Sequence, residues 1–151
     1  MHKRIPVAAD GSRTSEAALG EALDLAGRGA QLRAVHVADS PYTYPEALYG
    51  QVTGDLEPLR REWREAGEEL LARAVASARV RRVAADSTLL ESDGRRVGGA
   101  VVEAAQRRGA DLIVVGTHGQ RGLDWPLLGS APEGVARAAP VSVLLLRGGT
   151  R

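Results

Sequence analysis

The feature that most constrains the fold of this chain is an alternation of short apolar runs with longer segments of helical periodicity. The runs lie at 5–9, 32–37, 112–115 and 141–146, with a weaker one at 82–90. Apolar runs of this length, bounded by turn residues, are typical of buried strands. Parallel strands need long crossovers, which are usually helices, so the alternation predicts an α/β fold with a mostly parallel sheet.

Four helices are predicted between these runs. In the first, Thr14 or Ser15 is a candidate N-cap, and small or apolar residues recur at helical spacing as far as Ala26. The others are predicted at 56–77, 97–107 and 130–138. The length of 151 residues suggests one domain. We therefore expect a single-domain, doubly wound, five-stranded Rossmann-like sheet with four helices over 1–148, followed by a tail at 149–151.

The most specific pattern follows the apolar run 112–115. It consists of Gly116, two residues, Gly119, nine residues, and then Gly129 with Ser130. Glycine lets a backbone approach a ligand closely, and successive N–H groups in a turn can hold an anion. Glu133 lies three residues after Ser130, which is capping-box spacing and predicts a helix start there. A helix N-terminus favours phosphate, so the pattern predicts a strand, a phosphate loop and a helix.

This spacing resembles the nucleotide-binding signature of the universal stress protein family, G-x-x-G-(x)9-G-[S/T]. The similarity extends to the runs VAADGS, GADLIVVGTHG and APVSVLLLR, and so to nearly the whole chain. The resemblance implies the strand order 3-2-1-4-5 and ATP as the ligand, with Mg²⁺ as a cation that can accompany the phosphates. It also implies a nucleotide-dependent stress-response switch with slow or no ATP hydrolysis. The strand at 141–147 is then a sheet edge that would pair with its twin in a homodimer.

The candidate nucleotide-binding residues include the two whose roles the resemblance supplies most directly, Asp10 and Val37. Asp10 would contact the nucleoside, and the backbone of Val37 would meet the adenine edge. Each also has a purely structural interpretation, an Asx turn or helix cap for Asp10 and core packing for Val37. The full set is Ala8, Asp10, Val37, Gly116, His118, Gly119, Arg121, Gly129 and Ser130.

Several of these positions leave two interpretations open. His118 and Arg121 could reach phosphate oxygens or could be solvent-exposed loop residues. The tyrosine-rich stretch 39–54 could cover an adenine ring, or pack over a sheet edge or a partner subunit. His36 sits in an apolar strand, and we expect it to be a hydrogen-bonded core histidine.

The sequence departs from the family pattern in two places. Pro132 follows closely on Ser130 and removes one possible N–H donor to phosphate. Trp125 and Pro126 replace the small or charged residues that are common between the glycines. Pro132 favours the alternative that the chain is a dimeric interaction scaffold that does not bind nucleotide, whereas the intact glycine spacing opposes it.

Composition excludes several other classes. A net charge of +1, from 20 basic and 19 acidic residues, gives no electrostatic case for nucleic acid or membrane binding. The chain has no cysteine, which rules out disulfides and thiolate chemistry, and three scattered histidines make a structural zinc site improbable. There is no P-loop motif and no hydrolase triad spacing. We expect a cytoplasmic protein that is at most a slow ATPase, with no metal site of its own.

Overall fold

The fold is taken from a computed structural model, which describes residues 1–27, 29–38, 57–92, 96–118 and 128–148. Three expectations fall elsewhere and lie outside the described residues: those for the stretch 39–54, for the loop positions Gly119, Arg121, Trp125 and Pro126, and for the tail 149–151. Within the described ranges, no helix is long and apolar enough to cross a membrane.

Strands and helices alternate along the described chain, as predicted. The strands are β1 Arg4–Ala8, β2 Gln31–Ala38, β3 Ala84–Glu91, β4 Leu112–Gly116 and β5 Ser142–Leu146. The helices are α1 Arg13–Ala26, α2 Glu57–Val80, α3 Val97–Arg107 and α4 Ser130–Ala138.

The five strands form one parallel sheet in the order β3-β2-β1-β4-β5, which confirms the predicted topology. In the centre, β1 pairs with β4 in the register Val7 to Val114. From this pair the chain winds outward to β2 and β3 on one side and to β5 on the other. The carboxyl ends of β1 and β4 therefore form the switch point, where doubly wound sheets usually hold their ligands. The weaker run at 82–90 corresponds to β3, which lies at one edge of the sheet.

The sheet separates two apolar cores. Helices α1 and α2 pack on one face, where Ile5, Val7, Leu32 and Val114 are almost fully buried. Helices α3 and α4 pack on the other face, over Val35, Ile113 and Val115. Alternate residues along each strand point into opposite cores, because side chains in a strand alternate between faces. Burial on both sides explains why the central strands read as continuous apolar runs.

Two helix starts differ from the prediction. The N-cap of α1 is Ser12, whose Oγ accepts the N–H of Ser15 at 3.2 Å, so the assignment to Thr14 or Ser15 is wrong. The N-cap of α4 is Gly129, and Ser130 is already helical with no side-chain capping bond, so the predicted capping box is also wrong. Each helix is thus capped by a residue with an extended backbone that precedes the predicted one. At α4 this residue is Gly129, which has ψ 161° and whose carbonyl accepts the N–H of Glu133 at 3.0 Å.

At the amino edge of the sheet, Asp111 joins the starts of β1 and β4. Its carboxylate accepts the backbone N–H groups of Lys3 at 2.7 Å and Arg4 at 3.1 Å, and the Nδ1 of His2 lies 3.8 Å away. Partial burial acts to raise the pKa of the Asp111 carboxyl, but these hydrogen bonds and the nearby His2 outweigh it and leave the pKa below its usual value. The carboxylate thus fixes the first strand in register beside the fourth.

Candidate functional site

The chain leaves β1 through a tight turn that carries Asp10 at the switch point. The strand ends at Ala8, one residue before the end of the predicted run 5–9. One carboxylate oxygen of Asp10 accepts the N–H of Ser12 at 2.8 Å, and the N–H of Asp10 donates to the Ser15 hydroxyl at 3.0 Å. The Asx-turn interpretation therefore describes this residue. The other carboxylate oxygen has no hydrogen-bond partner in the described part of the chain, so a ligand could still use it.

Two hydroxyl groups at the start of α1 bind the exit of β4. Ser12 Oγ donates to the carbonyl of His118 at 3.2 Å, and Thr14 Oγ1 donates to the same carbonyl. The N–H of His118 faces Thr14 Oγ1 at 3.4 Å, and its ring Nδ1 lies 3.0 Å from the hydroxyl of Thr117. Both backbone groups of His118 are thus engaged within the protein. Any contribution of His118 to a phosphate site would have to come from its ring.

Gly116 lies where α1 approaches β4 most closely. A Cβ built at this position would lie 2.5 Å from Thr14 Oγ1, 2.6 Å from the Thr14 carbonyl carbon and 2.8 Å from the Ser15 nitrogen. Real Cβ atoms do not approach backbone this closely, so only glycine fits here. The first glycine of the signature therefore has a packing reason that is independent of any ligand.

The N-terminus of α4 offers fewer free donors than its sequence suggests. The N–H of Gly129 already donates to the Thr117 carbonyl at 2.9 Å. The N–H groups of Ser130 and Ala131 lie in the first turn, where an α-helix provides no internal acceptor. Pro132 has no N–H, and its ring is buried against the helix start. Two amides and the exposed Ser130 hydroxyl are thus the donors that the start of this helix offers.

Between these elements lies a cleft of about 70 Å³ at the carboxyl edge of the sheet. It brings together five of the predicted residues, Ala8, Asp10, Val37, Gly116 and His118. Gly129 and Ser130 lie at the adjoining helix start rather than in its lining, and Gly119 and Arg121 lie outside the described residues.

Other lining residues were not among the predicted nucleotide-binding residues. Val97 and Val101 of α3 form an apolar wall beside Val115 of β4, and Ala131 and Pro132 of α4 close one end. The apolar periodicity of α3 was visible in the sequence. Its position beside the cleft follows only from the packing of α3 on α4, where a Cβ on Gly98 would lie 2.6 Å from the Ala131 carbonyl oxygen.

His36 lines the cleft, and its predicted hydrogen bond is confirmed. Its Nδ1 lies 2.7 Å from the carbonyl oxygen of Ala9, the residue before Asp10. A carbonyl only accepts, so Nδ1 must carry the proton of this bond. The ring also lies against Gly67 of α2, where a Cβ would come within 2.6 Å of His36 Cδ2. A single half-buried side chain thus links α2 to the turn that holds Asp10.

No group of three histidine, aspartate or glutamate side chains in the described ranges is placed to hold a metal ion. The described cleft and the adjoining start of α4 together combine one carboxylate, two helix N–H groups, the hydroxyls of Ser15 and Ser130, and an apolar wall. Such a set can hold a neutral flat group against the wall and an anionic group at the helix start.

Comparison with known proteins gives this geometry a family. The model of the universal stress protein family matches residues 1–147. A universal stress protein of Methanocaldococcus jannaschii is 32% identical over 149 residues, which cover 97% of this chain and 83% of that protein. A crystal structure of a universal stress protein family member from Burkholderia pseudomallei is 32% identical, with a TM-score of 0.69 and coverage of 95% of each chain.

Two more distant structures with the same fold were solved with nucleotides. The Arabidopsis thaliana family member with AMP bound is 18% identical, with a TM-score of 0.69 over 98% of this chain and 93% of that one. The Archaeoglobus fulgidus universal stress protein in complex with dAMP is 23% identical, with a TM-score of 0.64 over 95% of this chain and 97% of that one. The family match over almost the whole chain and the relatives at 32% identity agree: this protein is a member of the universal stress protein family.

Proposed function

We propose that this protein binds an adenine nucleotide, ATP, in the cleft at the carboxyl ends of β1 and β4. The observation that carries the proposal is the convergence there of the Asp10 turn, the end of β2 at Val37, the apolar wall of α3 and the N-terminus of α4. These groups come from four separate parts of the chain. The nucleotide-bound neighbours, which share the fold, support the same ligand class.

The base and ribose would occupy the part of the cleft nearest β1 and β2. Val97, Val101 and Val115 supply the apolar surface that a planar base requires. The backbone of Val37 would meet the edge of the base beside Ala8. The carboxylate oxygen of Asp10 that the Asx turn leaves open would accept a ribose hydroxyl, because a carboxylate is a strong acceptor and a poor neighbour for phosphate.

The phosphates would lie at the start of α4. The N–H groups of Ser130 and Ala131 and the helix dipole favour an anion there, and the Ser130 hydroxyl adds a donor. Gly119, Arg121 and the ring of His118 are the further candidates from the loop. Mg²⁺, if it accompanies ATP, would take its ligands from phosphate oxygens and water, which suits a site without a carboxylate cluster.

Hydrolysis of the nucleotide should be slow or absent. Fast phosphoryl transfer needs a cation against the β- and γ-phosphates and a group that orients the attacking nucleophile. Arg121 or Mg²⁺ could supply the cation, but Asp10, the carboxylate of the described cleft, is assigned to the ribose and is not free to orient a water. We therefore propose a nucleotide-dependent switch of the cytoplasmic stress response rather than an enzyme.

Isothermal titration calorimetry with nucleotide-stripped protein, with and without Mg²⁺, tests this function. We expect micromolar ATP binding that falls about tenfold or more in Asp10→Ala, since a charged hydrogen-bond acceptor is lost. Asp24→Ala is the matched control, because Asp24 is an exposed aspartate of α1 that pairs with Arg81 far from the cleft. Absence of binding at millimolar ATP, or equal losses in the two variants, would refute the assignment.

A second candidate function rests on β5. This edge strand is only partly covered, and Leu145 is 37% exposed. An apolar edge strand is a liability unless it is paired, so we propose an isologous homodimer through 141–147. If ATP does not bind, this surface would make the protein a dimeric interaction scaffold. Leu145→Glu should convert the dimer to a monomer in sedimentation velocity, and an unchanged sedimentation coefficient would exclude this interface.

A further inference from the structure

A second concave region lies at the amino edge of the sheet, at the opposite end from the proposed nucleotide cleft. It consists of two adjoining cavities of about 390 and 570 Å³. Arg4, Gln31 and Gly109 line both, so the two form one groove that runs under β1, β2 and the turn between α3 and β4. We call this region the amino-edge groove. It is several times larger than the 70 Å³ cleft at the other end.

The walls of the amino-edge groove carry a strong excess of positive charge. The basic residues are Lys3, Arg4, Arg33, Arg82, Arg107 and Arg108, and the acidic ones are Asp86 and Asp111. The whole chain has a net charge of only +1. The groove therefore has an excess of positive charge that acidic residues elsewhere on the chain balance, and a concave surface of one sign attracts ligands of the other.

The two acidic residues are both committed to the protein itself. The carboxylate of Asp86 makes a two-pronged ion pair with Arg33, with Arg33 Nε at 2.7 Å, and this pairing raises the pKa of the Arg33 guanidinium. The carboxylate of Asp111 accepts the N–H groups of Lys3 and Arg4. Neither pairs with the side chain of Arg4 or Arg108.

Arg4 and Arg108 are two cations of the 390 Å³ cavity that are available to a ligand. In the described part of the chain neither side chain makes an ion pair, whereas Arg107 is held by Glu103. The Arg4 guanidinium lies over the turn at Gly109, where a Cβ would come within 3.0 Å of its Nη1. Gly109 also has φ +63°, which favours glycine. A side chain at position 109 would therefore crowd the Arg4 guanidinium, which lines the same cavity as Arg108.

We propose that the amino-edge groove is a second ligand site, which binds a small phosphate anion with several negative charges. Arg4 and Arg108 would contact its oxygens, because the planar guanidinium fork matches two phosphate oxygens at once. Arg33, whose charge is compensated by Asp86, would line the groove without direct contact to the anion. The charged residues of this site lie at the amino edge of the sheet, whereas Asp10 and the start of α4 lie at the carboxyl edge; Val35, midway along β2, lines both the 390 Å³ cavity and the nucleotide cleft.

The probe is inorganic pyrophosphate, titrated into the full chain at low ionic strength and followed by calorimetry and by backbone amide NMR. We expect binding that shifts the amides of Gly109 and Ala110, and that weakens about tenfold or more in the double variant Arg4→Gln, Arg108→Gln. The backbone N–H of Arg4 that binds Asp111 is kept in this variant, and both side chains are exposed, so the fold is retained.

The matched control is Arg61→Gln, Arg73→Gln, which removes the same charge from exposed positions of α2. It should bind pyrophosphate as the unaltered protein does. The proposal is overturned if pyrophosphate does not bind, or if the control loses as much affinity as the double variant. It is also overturned if the shifted amides are Ser130 and Ala131, since the anion would then occupy the α4 helix start. Loss of ATP binding with retained pyrophosphate binding would refute the nucleotide cleft alone.

Discussion

The two ends of the sheet are built on different principles. At the carboxyl edge, glycines and hydroxyls bring α1, α3 and α4 close to the strands, and the shape of the cleft depends on backbone contacts. At the amino edge, arginines surround an open groove, and its character depends on charge. The first edge should therefore be sensitive to a single added methyl group and the second to a single lost charge.

The largest effect is expected from Gly116→Ala. The new Cβ would enter backbone of Thr14 and Ser15 at 2.6 to 2.8 Å, inside a buried strand, so α1 must move away from β4. We expect the free energy of unfolding in urea to fall by about 3 kcal/mol. Gly20→Ala is the control, because nothing lies within 4 Å of its Cβ position, and helix propensity should make it neutral or stabilising. Equal stability of the two variants would contradict this account of the carboxyl edge.

Next in size is the difference between two neighbouring glycines of α3. Gly98→Ala would place a methyl group 2.6 Å from the Ala131 carbonyl oxygen of α4, whereas Gly99→Ala meets open space. We expect the first to lose about 2 kcal/mol of unfolding free energy and the second to gain up to about 1 kcal/mol. Thermal or urea unfolding of the pair measures this. A gain for both would mean that α3 and α4 have room to separate.

Gly67→Ala tests whether the close packing at the carboxyl edge includes the contact between α2 and His36. The added methyl group would meet His36 Cδ2 at 2.6 Å and Leu89 Cδ1 at 2.8 Å, which are side-chain atoms that can yield. We expect a loss of only about 1 kcal/mol, because helix propensity partly offsets the contact. The bond from His36 to Ala9 should lengthen, which the ¹⁵N shift of His36 Nδ1 reports. An unchanged Nδ1 signal would show that the packing of α2 at Gly67 does not affect the His36 bond beside the cleft.

The smallest effect is expected at the amino edge, from Asp111→Asn. The pKa of the Asp111 carboxyl is lowered in the folded protein, so its charge stabilises the fold above the ordinary aspartate range, and this contribution disappears as the pH falls through the folded pKa. Solvent screens a half-exposed group, so we expect a loss of about 1 kcal/mol at neutral pH. Urea unfolding of both proteins should converge on acidification. A difference in unfolding free energy that grows at low pH would contradict the predicted stabilisation by the Asp111 charge.

The sequence was sufficient for the alternation of elements and for most of their bounds. The third and fourth helices were predicted at their observed limits, because apolar periodicity and flanking glycine or proline mark them clearly. The strand order came from the family resemblance, since alternation alone permits several parallel orders. Helix starts were less predictable: Ser12, Thr14 and Ser15 can all cap a helix, and only the backbone angles select Ser12.

The functional regions were predictable only in part. The positions of Asp10 and Gly116 followed from strand ends at one edge of a parallel sheet. The packing role of Gly116 did not, because it depends on how closely α1 approaches β4. The amino-edge groove was invisible in the sequence, since Arg4, Arg33 and Arg108 are far apart along the chain. Parallel strands place them at one edge, and a list of charges does not reveal that.

The backbone hydrogen bonds of Thr117 affect how easily the segment that follows it can change in length. Its N–H donates to Leu146 and its carbonyl accepts the N–H of Gly129, so the two ends of the excursion 118–128 are tied to each other and to the last strand. The free energy of closing a loop changes slowly with its length once its ends are fixed. The segment between Thr117 and Gly129 could therefore be lengthened, shortened or exchanged between relatives with little change in the stability of the remaining fold.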